Sequence, residues 1–141
     1  MRLIREARGR EVSVVTDAQA EECFALDLVE NFPPLGENID FYYDGPEDFL
    51  AHVFFGIEVT REIVAAYAAD INGVPIERRL DWRGVLGFLN RRLRSGDRAV
   101  GAVIGTSFLF QLPMPGQEGH GIVNELDDEL ARLFEVVRPN G

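Results

Sequence analysis

The chain has 141 residues, 46% of them apolar, and its 24 acidic and 14 basic side chains give a net charge of −10. That length buries enough apolar surface for one domain to fold without a disulfide or a metal, and the single cysteine, Cys23, excludes an intramolecular disulfide. The charge opposes binding to nucleic acid, where phosphates call for clustered cations. The longest uncharged run, residues 99–117, has an apolar part shorter than the roughly twenty residues of a membrane span.

Met1 to Glu6 lacks the apolar stretch of a secretory signal, so the expected setting is cytoplasmic. Val12, Val14 and Val15 suggest a short strand. Thr16 then reads as a helix N-cap, with Gln19 completing a capping box. Ala20, Phe24, Leu28 and Phe32 recur every four residues as one apolar stripe, and Pro33-Pro34 ends that helix. Ile39 to Tyr43 is rich in strand formers and is expected to pair with the Val12 segment. Asp44-Gly45-Pro46 is a turn or a short cap.

Phe49 to Ile57 fits helix or extended chain, with a break expected at Gly56 and a new helix starting at Thr60. Ile63, Val64, Tyr67, Ala68 and Ile71 share one face of it, and Asn72-Gly73 closes it. Asp81 caps a helix with Trp82, Val85, Leu86, Leu89 and Leu93 inside, and Ser95-Gly96 ends it. Asp97 caps the next element, Arg98 to Leu112, which is apolar nearly all round and therefore central; a strand over Ala99 to Ile104 is the competing reading. A loop over Pro113 to Gly121 leads to a last helix carrying Leu126, Leu130, Leu133, Phe134 and Val137. The expected fold is mainly α: one domain over residues 1–141, about five helices, a short N-terminal strand pair and a soft boundary near residues 73–75. An α+β fold is the alternative.

Charge is segregated along this chain. Twelve acids lie between Glu11 and Thr60, a stretch without a single arginine, whereas seven arginines lie between Arg78 and Arg98. An acidic face meeting a basic protein is the reading this favours. Its candidate contacts are Asp17, Glu21, Glu22, Asp44, Glu47 and Asp48. The arginine cluster balances the acids within the molecule or across a homodimer.

Motifs for chemistry are sparse. Gly101 to Ser107 has the look of a phosphate loop but lacks its lysine and one residue of spacing, so close helix packing is the preferred account. His52, His120 and Cys23, even with Glu118, supply too few ligands for a metal site, and no cofactor is expected. Cys23 lies beside Glu22, which disfavours a thiolate. Ser107 has no nucleophile-elbow pattern around it. An enzyme or ligand-binding reading would place a pocket around His52 and Tyr67, with Tyr42 and Tyr43.

His52-Val53-Phe54-Phe55-Gly56 before Thr60, Gly96-Asp97, Ser107-Phe108-Leu109, Leu112-Pro113 and Pro115-Gly116 follow one another from His52 to the closing helix. In these pieces the chain resembles a family of small uncharacterised bacterial domains. The resemblance implies a largely helical fold and no catalytic residues. The favoured function is a non-catalytic interaction module, an inhibitor of the immunity or antitoxin type being one concrete form. A small enzyme with a pocket near His52 and a homo-oligomeric structural protein are the alternatives.

Overall fold

The computed structural model of the chain describes residues 15–75 and 80–141. Among the described residues the fold is mainly helical and contains no strand. The α-helices are α1 (Asp17–Asn31), α2 (Ala51–Val53), α3 (Thr60–Ile71), α4 (Trp82–Arg94), α5 (Arg98–Val103) and α6 (Asp128–Val137). A π-helical segment, Phe54–Val59, joins α2 to α3, so residues 51–71 make one rod. A second, Ile104–Phe108, and a 3-10 turn, Leu109–Gln111, extend α5 into another rod over residues 98–111. Five rods result.

Local chemistry accounts for most of the helix ends. The Gln19 amide donates to Thr16 Oγ1 at 3.1 Å while the Thr16 amide donates to Gln19 Oε1 at 2.9 Å, a closed capping box. Asp81 accepts from the Gly84 amide at 3.0 Å, and Asp97 accepts from the Ala99 and Val100 amides. Gly73 and Gly96 take the left-handed conformation that ends α3 and α4.

Three expectations are corrected. Ile39–Tyr42 is a 3-10 turn and not a strand. The turn puts Ile39 and Tyr42, three apart, on the core side and leaves Phe41 82% exposed, whereas a strand would have set Ile39 and Phe41 on one face. Its expected partner, the Val12 segment, lies outside the described residues, apart from Val15. Gly56 does not break the chain, because the wider π-turn carries it within the helix. Thr60 therefore caps nothing; buried inside the rod, its hydroxyl donates to the Phe55 carbonyl at 2.9 Å, five residues back, the π spacing. Ile71, placed on the inward face, is 63% exposed at the last turn of α3.

The core is one aromatic-rich cluster. Phe24 of α1 stacks on Phe55 with ring centroids 4.8 Å apart, and Phe54 meets Phe55 edge-on at 5.5 Å. The rod over 98–111 is central, with Val100, Val103, Ile104, Phe108 and Leu109 fully enclosed, and the strand reading of this segment is set aside. Gly105 lets α6 approach: a Cβ there would lie 3.2 Å from Leu133. The core also spans residues 73–75. Tyr67 meets Trp82 edge-on at 5.1 Å, and the Trp82 indole N–H donates to Asp70 at 2.9 Å.

Buried Asn90 ties α4 to the start of α6. Its carbonyl accepts from the Leu130 amide at 2.9 Å and its amide donates to Asp128 at 3.1 Å. That bond, the Glu129 amide and the Arg94 guanidinium hold the Asp128 carboxyl below its ordinary value, so it stays ionised at the positive end of α6.

Candidate functional site

Chain geometry gathers the acids at one end of α1. Gly45, with φ of 107°, reverses the chain after Asp44. The Asp44 amide donates to the Asp48 carbonyl at 2.8 Å and the Leu50 amide to the Tyr42 carbonyl at 2.7 Å, closing a short antiparallel bridge between Tyr43 and Phe49. The loop so formed faces the first turns of α1. Between them lies a groove of about 320 Å³ lined by Glu22, Asp44, Glu47 and Asp48, with Gln19 and Phe49 beside them. The Tyr43 hydroxyl donates to Glu22, one of the lining acids, at 2.6 Å.

Of the six candidate acids, four therefore line one groove. Asp17 is exposed in the first turn of α1, next to it. Glu21 is turned elsewhere, its carboxylate 3.6 Å from His52 Nε2. Among the described residues no guanidinium pairs with Asp17, Glu22, Asp44, Glu47 or Asp48. Within the arginine cluster, Arg92 alone is seen to reach the acidic stretch, meeting Asp27 at 3.0 Å; Arg83 and Arg94 pair with Glu125 and Asp128 near the C-terminus. Arg78 and Arg79 lie outside the described residues. Glu58, counted with the acidic stretch, is buried and belongs to the interior.

Burial and the Glu22 carboxylate push the Tyr43 phenol up to about 12. Here the neutral form is the one the fold favours. Its contribution to stability is whole below the ordinary value of 10 and is lost as pH rises toward 12. In a spectrophotometric titration, phenolate absorbance from Tyr43 should appear late, and Glu22→Gln should bring it earlier. Simultaneous, normal titration of all three tyrosines would count against this geometry.

A second, separate feature surrounds His52. The ring is half exposed, and Nδ1 lies 2.6 Å from Ser107 Oγ. The two π-turns face each other here. They flank an open cleft of about 360 Å³ lined by His52, Val53, Gly56, Ile57, Thr106, Ser107 and Gln111. The tyrosines expected at His52 are not in it. Tyr67 is buried against Trp82 on the far half of its rod, Tyr42 is bonded to Glu58, and Tyr43 is bonded to Glu22. Ser107 and His52 are 55 positions apart, and no local spacing announces their contact.

Among the described residues no group of three or more His, Cys, Asp and Glu side chains could hold a metal ion, and no helix is long and apolar enough to cross a membrane. No protein-family model matches the chain, and no curated protein or solved structure is significantly similar to it.

Proposed function

We infer that the chain is an interaction module whose acidic groove receives arginine or lysine side chains of a basic protein partner. One observation carries this: Glu22, Asp44, Glu47 and Asp48 converge on a single concavity, and among the described residues no guanidinium of the chain neutralises them. Like charges that share one groove repel, and an incoming cation offsets that repulsion while forming charge-assisted hydrogen bonds. A groove of about 320 Å³ accommodates one or two such side chains, not a folded domain, so the remaining contact must come from the surrounding face. An inhibitor that masks a cationic protein is the form in which such a face needs no chemistry of its own.

The test separates the groove from net charge. A fluorescent arginine-rich peptide should bind the wild-type chain, more tightly at low salt. The double variant Glu47→Lys/Asp48→Lys should bind at least about tenfold more weakly, or some 1.4 kcal/mol. A control of equal net charge, Glu118→Lys/Glu135→Lys, should change affinity little. Equal loss in both variants would reduce the effect to bulk charge and remove the groove from the argument.

A further inference from the structure

Independently of the acidic groove, we propose that Ser107 is a nucleophile activated by His52, and that the cleft between the two π-turns accepts small uncharged carboxylic esters. Three observations converge on this. The Ser107 hydroxyl lies 2.6 Å from His52 Nδ1, within the reach at which an imidazole takes a hydroxyl proton. On the ring's other side, the Glu21 carboxylate is 3.6 Å from Nε2. A carboxylate there favours the tautomer with its proton on Nε2, which leaves the Nδ1 lone pair facing Ser107. The third observation is the setting: π-turns are rare and concentrate at functional sites, and here two of them face each other across one cleft.

The side chains of the cleft assign the remaining roles. Thr106 donates its hydroxyl to the Ala102 carbonyl at 2.7 Å and is committed to the helix. Gln111 lines the cleft, and its carboxamide N–H is the donor available to a developing oxyanion. Val53 and Ile57, 41% and 53% exposed, give the rim an apolar surface for an acyl group. Glu21 and the net charge of −10 disfavour anionic substrates. Ser107 Oγ bonds to the ester carbonyl carbon while its proton passes to His52 Nδ1. The ester C–O bond then breaks, and the departing alkoxide takes that proton and leaves as the alcohol. Water repeats the sequence on the acyl-serine, returning the acid and the free hydroxyl. Glu21 touches no reacting atom and is a positioning residue.

The experiment treats the full chain with 4-nitrophenyl acetate and locates the acetyl group by peptide mass spectrometry. Acetylation of Ser107 is expected, with none at this position in Ser107→Ala. His52→Gln should slow it at least about tenfold, the lower end of general-base effects being a hundredfold. Glu21→Gln should lower the acetylation rate at saturating ester and leave the half-saturating ester concentration unchanged; a merely structural loss would not give that split. Should Ser107→Ala fail to fold, the mapping on the unaltered chain and the rate in His52→Gln still decide. No acetyl group on Ser107, acetylation confined to Cys23, or a wild-type rate in His52→Gln would each overturn the assignment. The outcome does not depend on whether the acidic groove binds cations.

Discussion

Replacing Arg138 with methionine is expected to cost the fold about 3–5 kcal/mol, a large share of the 5–15 typical of a domain. The side chain is buried at 7% exposure, and among the described residues no Asp or Glu side chain pairs with it. Its partners are main-chain oxygens, that of the last residue, Gly141, among them. Nη1 donates to Leu112 at 2.7 Å and Phe110 at 3.1 Å, with Leu109 at 3.4 Å, and Nη2 donates to Gly141 at 2.8 Å and Pro113 at 3.1 Å. The Phe110 carbonyl lies in the last turn of the rod over 98–111 and the Leu112 carbonyl just past it, where Pro113 stops the rod, while the Leu109 carbonyl also accepts from the Leu112 amide at 3.3 Å. Arg138 thus caps that rod from another part of the chain, and the negative end of the helix dipole serves as its counter-charge. The guanidinium also lies 5.0 Å from the Phe134 ring centroid, so α6 is held to the same point. Methionine fills similar space but satisfies none of the carbonyls. Lysine retains the charge as a point donor and cannot span both sets, so Arg138→Lys should fall between the two. Urea unfolding midpoints at unchanged slope are the measurement. A midpoint for Arg138→Met equivalent to less than about 1 kcal/mol of loss would mean that water serves these carbonyls as well as the guanidinium does.

Nothing in the sequence marks Arg138, and the reason is physical. Caps made within one turn are legible because donor and acceptor are fixed by spacing: Thr16 with Gln19, Asp81 with Gly84, and Asp97 with Ala99 were all recoverable. A cap supplied from 25 or more positions away carries no such signature. The π-turns were hidden likewise. Gly56 is a breaker by propensity, but the extra residue in each turn is accommodated by packing between two rods, and only the Thr60 hydroxyl marks it afterwards. Ile39 to Tyr43 shows propensity overruled. Its β-branched and aromatic residues favour a strand, whereas Asn38 and Tyr42 are drawn to a carboxylate 20 and 16 positions on. For the candidate site, the acids themselves were legible. Their convergence was not, because it depends on the Tyr43–Phe49 bridge bringing the 44–48 loop against α1.

That carboxylate, Glu58, is the second position where a large effect is expected. It is buried at 2% exposure, on the π-turn, and every neighbour it bonds is a donor. Arg61 Nη2 lies at 2.6 Å, the Tyr42 hydroxyl at 2.9 Å and Asn38 Nδ2 at 3.1 Å. Burial and then the Glu58 carboxylate raise the Tyr42 phenol above its ordinary value, keeping it a donor. Glu58→Ala should therefore cost about 2–4 kcal/mol, since it leaves the half-buried Tyr42 hydroxyl and the exposed Asn38 amide without their acceptor and opens a void. Arg61 is half exposed and turns to water, which keeps the loss below that of a fully enclosed pair. Glu58→Gln is the informative companion. An amide is nearly the same shape, but it brings two N–H groups to a site that contains only donors. It should recover less than half of the alanine loss, as read by thermal and urea unfolding. The 3-10 turn should loosen with it, detected as faster amide exchange at Phe41, whose N–H donates to the Asn38 carbonyl at 3.0 Å. Full recovery in Glu58→Gln would show that shape, not charge, holds residues 38–42 to the rod.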